Sequence, residues 1–310
     1  MPYGDTATEP SATRGGCVKS LERQDWLEPL ADRFQRAVVA AYQAGGATGR
    51  RIRDLLHGTW RGHPLHPVLT DVPLGAWTLA TVLDLCGANR HQDLAADAAI
   101  GVGLAGAVGA AVTGMTDWQH TAAEDRRVGL LHGMLNLSAT GLYAVSLALR
   151  LRGVRTPGRT IGGLGFTVAL GAAYLGGHLV YRKRIGVDHA PRADWDDFVT
   201  ALPEGDLKEL VPQRVDIRGV AVVLVRRANR IYALADSCAH LGGPLFEGQV
   251  DDLAIRCPWH GSRFDLEDGG VLEGPSTFPQ PCFDVRLRAG QIEVRARRSS
   301  RPATALSSRA

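Results

Sequence analysis

Cysteine is scarce, with five in 310 residues at positions 17, 86, 238, 257 and 282. An odd and widely scattered set does not form the paired framework of a small secreted disulfide domain. Charge of one sign is not in excess either, with 35 Lys and Arg against 32 Asp and Glu. No basic stripe interleaved with aromatics exists, so nucleic acid is not an expected partner. The opening MPYGDTATEP has no apolar run behind a basic start, so no secretory leader is expected.

What the chain has in quantity is Ala, Gly, Leu and Val, concentrated between about residues 67 and 182, with Arg, Asp and Glu on either side. Its length suits more than one domain. Residues 1–20 are small, polar and aperiodic, which predicts disorder. Over 21–62 the pattern is amphipathic and helical. Trp26, Leu27, Leu30, Phe34 and Val38 recur at spacings of three and four. Such a helix either packs on its own protein or lies on a membrane surface, since Arg50, Arg51 and Arg53 follow it.

Within 63–182 four apolar segments stand at 67–88, 95–115, 128–150 and 160–181. Each is near the roughly 20 residues that span a bilayer. A soluble bundle would need a polar face on every helix, and the second and fourth segments have almost none. The prediction is a four-helix transmembrane domain in contact with lipid. Gly101, Ala105 and Gly109 place a small residue at every fourth position and predict a close-packing stripe. Near the helix ends, nine basic residues lie on the side of the termini: Arg50, Arg51, Arg53, Arg61, Arg126, Arg127, Arg182, Lys183 and Arg184. Five lie opposite: Arg90, Arg150, Arg152, Arg155 and Arg159. The difference predicts cytoplasmic termini.

A charged connector is expected over 183–204. From 205 to 297 the pattern turns to short alternating strands separated by Gly, Asp and Pro, predicting a small antiparallel β domain. The tail, 298–310, is low in apolar residues and expected to be disordered. The fold class is therefore multidomain, α plus β.

Two boxes in the β segment carry chemistry. The first is Cys238, Ala239, His240, Leu241, Gly242, Gly243; the second is Cys257, Pro258, Trp259, His260, Gly261, Ser262. Sixteen residues separate His240 from Cys257. Thiolate and imidazole both suit iron, and one sulfur and one nitrogen per turn could equally hold a tetrahedral zinc.

These boxes resemble those of Rieske proteins, in which two Cys hold one iron and two His the other. The resemblance spans about 206–297. It implies a [2Fe–2S] cluster on Cys238, His240, Cys257 and His260, close approach of the loops at Gly242, Gly243 and Gly261, and a hydrogen bond from Ser262 to a cluster sulfur. Leu241, Trp259 and Pro275 are further neighbours, the last in a proline-containing loop over 274–281 that resembles the cover of such sites. Where the respiratory-complex subgroup carries an extra, disulfide-forming Cys in each box, this sequence has Gly243 and Trp259, and Phe264 replaces a Tyr. The pattern resembles the ferredoxin subgroup, with fewer hydrogen bonds and a lower potential. An oxygenase of this family would need a further mononuclear iron domain of roughly two hundred residues, which the stretch after Ile292 is too short to supply, so a carrier is the expectation. Cys282 reads as an ordinary buried thiol.

The apolar domain resembles an uncharacterised family of four-helix bacterial membrane proteins, through His63, Pro64, Leu65, His66, Pro67 and then Asp71, Val72, Pro73, Leu74, Gly75. With alternating helix direction, His66, Asp71, Asp117, His132 and His178 fall at one membrane depth. Ionisable groups at such places usually serve a function. Haem b or another metal, held first by His132 and His178 and then by His66, is one reading; a hydrogen-bonded layer that fixes helix packing is the other. The functional expectation is a membrane-anchored carrier of single electrons between a soluble reductase and a membrane or soluble acceptor. The alternatives are an oxidoreductase acting on a quinone or other lipophilic substrate, and a redox sensor.

Overall fold

A computed structural model describes residues 24–87 and 89–297. The expected disordered ends and Cys17 lie outside the described residues. Two helices open this part, α1 (Glu28–Ala44) and α2 (Gly46–His57), divided by the Gly45–Gly46 corner where Gly46 takes φ +53°. The pattern had run as one helix. Its inward face also differs from the expected one. Leu27 and Ala31 are buried, while Trp26 and Phe34 face outward. The reason is that the inner contact is polar: Arg126 and Arg127 pair with Glu28, and the Gln35 amide donates to the Thr121 carbonyl at 2.8 Å. Glu28, Ala31 and Gln35 share a face at the helical spacing.

The four long helices are α3 (Leu65–Cys86), α4 (Arg90–Trp118), α5 (Ala123–Leu151) and α6 (Arg155–Tyr181). All four are long and apolar enough to cross a membrane, and only 17–28% of the residues in each span are buried by protein. Residues such as Leu79, Val108, Leu137 and Leu170 face outward as an apolar belt, the surface that hydrocarbon would cover. Inside, Trp77 of α3 stacks on Tyr143 of α5 at 4.3 Å. Gly103 allows this, because a Cβ there would stand 2.2 Å from the Trp77 indole nitrogen. The stripe expected at Gly101, Ala105 and Gly109 is thus displaced. A Cβ on Gly101 would meet nothing and Ala105 is exposed, while Gly103 and Gly106 take the close contacts.

The end of the bundle away from the β domain is tied by charge. Arg150, its side chain wholly buried, pairs with Asp84 and lies 3.6 Å from Asp97. Arg155 and Arg159 complete the set with Asp93, Asp97 and Asp84. Three cations and three anions link all four helices, so Arg150, Arg155 and Arg159 are neutralised locally.

The β domain has two sheets. Six strands run in the order β1 (Val199–Pro203), β10 (Gln291–Ala296), β9 (Cys282–Arg288), β4 (Arg230–Ala235), β3 (Val220–Arg227), β2 (Gln213–Ile217). Four shorter ones run β5 (Gln249–Asp251), β6 (Ala254–Arg256), β7 (Arg263–Asp265), β8 (Val271–Glu273). The polar connector is shorter than expected, since Val199–Pro203 joins the sheet edge by pairing with β10. Val222, Leu224, Phe283 and Ile292 form one core; Ile255, Phe264 and Leu266 form another beneath the two cysteines. The boxes occupy the β4–β5 and β6–β7 loops, and the proline loop joins β8 to β9.

Candidate metal centre

The two box loops are built alike. In the first, Gly242 N–H donates to the Cys238 carbonyl (2.8 Å) and Cys238 N–H to the Gly243 carbonyl (2.8 Å). In the second, Gly261 N–H donates to Cys257 (3.1 Å) and Cys257 N–H to Ser262 (2.8 Å). Gly242 and Gly261 hold φ +77° and +80° at the matching turn positions, a conformation open to glycine at no steric cost. Each turn aims backbone N–H groups at its sulfur, from His240 and Leu241 to Cys238 and from Trp259 and His260 to Cys257. The Cys257 thiol is drawn down to about 7, first by its hydrogen bond with Cys238 and then, against burial, by those N–H groups. The same hydrogen bond, with burial, pushes Cys238 well above the ordinary range.

The His240 and His260 rings lie 5.0 Å apart at 87°. Two imidazoles bound to one tetrahedral metal at about 2.1 Å place their ring centres about 5 Å apart. Nδ1 of His240 is buried without a hydrogen-bond partner, a state that costs free energy unless the nitrogen ligates. Among the described residues no three His, Cys, Asp or Glu side chains are set to hold a single ion. Sulfur and nitrogen instead stand as two pairs, so the residues fit a binuclear [2Fe–2S] cluster better than one zinc.

The surrounding shell is fixed by hydrogen bonds. Ser262 Oγ accepts from Ser276 N–H at 3.0 Å, which leaves its own O–H to donate. Pro275 is buried beside it. Trp259 lies over Gly243, where an added Cβ would meet the indole at 3.0 Å. An aromatic face thus fills the place read as a disulfide in the other subgroup. Phe264 is fully buried in the core below. Gln280, not singled out in the sequence, bolts the proline loop to the first box. Its amide donates to Ala235 (2.6 Å) and Ser237 (2.7 Å) and accepts from Ala239 N–H (2.9 Å). Cys282 is half-buried and its thiol is pushed up to about 12 by burial.

The histidine edge of this centre is seated on the membrane domain. His120, in the turn after α4, packs its ring 5.4 Å from His240 and 5.3 Å from His260. Behind it His57 lies at 5.2 Å, its Nδ1–H donating to Asp117 at 2.7 Å. Burial first, then His57 and the two cluster-box histidines, hold His120 well below the ordinary imidazole range. Further contacts join His63 to Phe278 and His189 N–H to the Ala239 carbonyl. His57 and His120 escaped the sequence reading because they come from separate segments; Asp117 and His120, one turn apart, were the available signal.

The five polar side chains expected to share one layer resolve into separate places. His66 and His132 face each other at 6.3 Å, each donating its Nδ1–H to a carbonyl of the next helix, Ala110 (2.9 Å) and Ala172 (2.8 Å). Asp117 turns instead to His57, and Asp71 is exposed. His178 is half-buried near the end of α6.

Residues 197–284 match the family model described as the Rieske [2Fe-2S] domain, and residues 62–189 match that of a predicted membrane protein family (DUF2231). Ferredoxin CarAc of Metapseudomonas resinovorans is 33% identical over 90 residues, covering 29% of this chain and 84% of that protein. Apoptosis-inducing factor 3 of Homo sapiens is 30% identical over 120 residues, 38% of this chain. The chain spans only 20% of that protein's length, and 15% of the mouse counterpart. Among solved structures, the ferredoxin of carbazole 1,9a-dioxygenase from Nocardioides aromaticivorans IC177 is 30% identical, with 33% of this chain and 100% of that one covered and a TM-score of 0.32.

Proposed function

The chain belongs to the Rieske [2Fe–2S] family through residues 197–284, and from that premise we propose that it is a membrane-anchored one-electron carrier. The observation that carries the proposal is the seating of His240 and His260 on His120 of the membrane domain. The cluster, when bound, supplies reversible one-electron transfer. Cys238 and Cys257 would hold one iron and His240 and His260 the other. The flanking N–H groups and Ser262 would stabilise negative charge on sulfur, and the Gln280 bolt would keep the loops in register.

Electrons would come from a soluble reductase and go to a membrane or soluble acceptor. Four membrane spans would hold the carrier near a membrane partner and raise its local concentration. The excess of Arg and Lys on that side supports cytoplasmic termini and a cytoplasmic cluster domain. Outward Trp26 and Phe34 suit a helix lying in the headgroup layer.

A second reading, an oxidoreductase with its own redox metal or haem in the bundle, is favoured by one observation. His66 and His132 each spend Nδ1–H on a carbonyl, which leaves Nε2 as the ligating nitrogen of His66; Nε2 of His132 stands 3.2 Å from the Asn136 amide and would exchange that contact for the metal. This moves the expected ligand pair from His132 and His178 to His66 and His132.

One experiment addresses both. The full chain in detergent should bleach its Rieske absorption on dithionite reduction and contain two irons, and Cys257→Ser should abolish the bleaching. A wild-type chain with no bleachable absorption would refute the carrier reading. A haem b band that disappears in His132→Ala would establish the second centre; its absence from wild type removes the haem.

A further inference from the structure

A cavity of about 460 Å³ opens at the junction of the two domains, within the range of small-molecule sites. The corner between α1 and α2 forms one wall, the turn after α4 a second, and the second cluster box a third. Tyr42, Arg50, Arg53, His120, Trp259 and His260 supply the side chains that matter.

Three features define what fits. The first is charge. Arg50 and Arg53 are among the lining residues and no Asp or Glu is. Arg53 is 3.3 Å from the Asp54 carboxylate, whereas Arg50 is exposed and pairs with no carboxylate among the described residues. A cavity of one sign with low-dielectric walls attracts the opposite charge, and guanidinium recognises planar oxyanions in particular. The second is aromatic surface. Trp259 is 57% exposed, a large fraction for an indole that is otherwise set among the cluster loops. Tyr42 spends its hydroxyl on Thr116 at 2.6 Å, so its remaining contribution to the wall is the ring. Flat rings and a cation together suit a flat anion. The third is position. His260 forms part of the wall, so an occupant lies one imidazole away from the proposed cluster.

We propose that this junction cavity binds a planar aromatic anion, a fused or substituted ring bearing a carboxylate, sulfonate or phenolate oxygen, with the oxyanion on Arg50 and Arg53 and the ring against Trp259 and Tyr42. The inference rests on the carrier reading only for the meaning of the site beside His260; binding itself is a separate property. Cations are rejected by the two guanidinium groups, and an uncharged ring forgoes the charged contact.

The test uses the cluster-loaded full chain in a non-aromatic detergent and 2-naphthoate as the probe, with naphthalene-2-methanol as its uncharged counterpart. Equilibrium dialysis should give saturable binding of one 2-naphthoate per chain, with the alcohol weaker by tenfold or more. Arg50→Gln removes an exposed side chain without an ion-pair partner, so the fold should be untouched, and it should weaken binding roughly tenfold, the value of one charged contact. Trp259→Ala should weaken it as well. The inference is overturned if binding is not saturable below millimolar probe, or if Arg50→Gln binds as wild type does. The cluster spectrum, read in the same samples, separates the two claims. Naphthoate binding without a bleachable cluster sinks the carrier reading alone, and a bleachable cluster without binding sinks this one alone.

Discussion

Gln280→Leu isolates what the proline loop contributes to the centre. The residue is 2% exposed, and its amide makes three hydrogen bonds to the backbone around the first box. Leucine is close in volume, so the cavity term is small and the loss is polar. It strands the Ala239 N–H, a buried donor worth about 1–3 kcal/mol when left unmade. Two carbonyls each lose one acceptor bond of about 1 kcal/mol. The terms share one loop and do not add in full, so about 3 kcal/mol is a fair total. For a domain of about 100 residues each kcal/mol moves the midpoint by about 4–8 °C, which predicts cluster loss roughly 12–24 °C lower. The assay is visible circular dichroism of the cluster during heating at one fixed scan rate, since such loss is kinetic. Helical ellipticity, dominated by the six helices, serves as the internal reference and should not move. A shift under about 3 °C would refute the reasoning, because the box loops would then keep their register without the bolt.

Two other predictions address the membrane domain. Glu28, whose carboxyl is held below its ordinary value of 4.5 first by the Arg126 hydrogen bond, has a depressed folded-state pKa, so its contribution is present above 4.5 and is lost as pH falls through the folded value. Amide exchange across residues 28–44 should therefore be slow and flat from pH 7 to 5, after correction for intrinsic rates, and accelerate below 4.5; Glu28→Gln should be fast throughout. Gly176→Ala places a Cβ 3.0 Å from the His132 ring and should cost about 1–3 kcal/mol by overpacking, read as a lower melting temperature in detergent. Gly133→Ala, where an added Cβ meets nothing, should leave that temperature unchanged.

The centre was legible because its information is local. A Cys and a His two or three residues apart, followed by a glycine that can take positive φ, specify a ligand turn wherever the loop is carried. The four spans were legible because crossing hydrocarbon is a matter of length and composition. Which helix face packs was not. In α4 nearly every side is small, so the spacing of Gly101, Ala105 and Gly109 competed with that of Gly103 and Gly106, and only the position of Trp77 selects between them. The first helix misled for the opposite reason. Its apolar residues were conspicuous, but the ionic contact with Arg126 and Arg127 set its orientation. Strand β1 was hidden because its five residues, VTALP, stand between the acidic stretches 194–197 and 204–206 and end on a proline, and their partner β10 is about ninety residues away.

The docking of the cluster loops on His120 was beyond any reading of single segments, and it changes what the molecule can do. A carrier whose histidine edge is free meets partners directly there. Here that edge faces an imidazole from the turn after α4, backed by His57 and Asp117. An apolar residue at position 120 would have filled the same contact without the cost of burying ring nitrogens, and both His57 and His120 keep a buried Nε2 without a hydrogen-bond partner. That cost is sustained at the one place where the two domains bring their histidines together. The carboxylate on His57 fixes its tautomer, and with it the orientation of the ring that supports His120. Membrane domain and cluster domain therefore meet through a built polar contact, and on the carrier reading an electron passing the histidine edge would have His120 as its immediate neighbour.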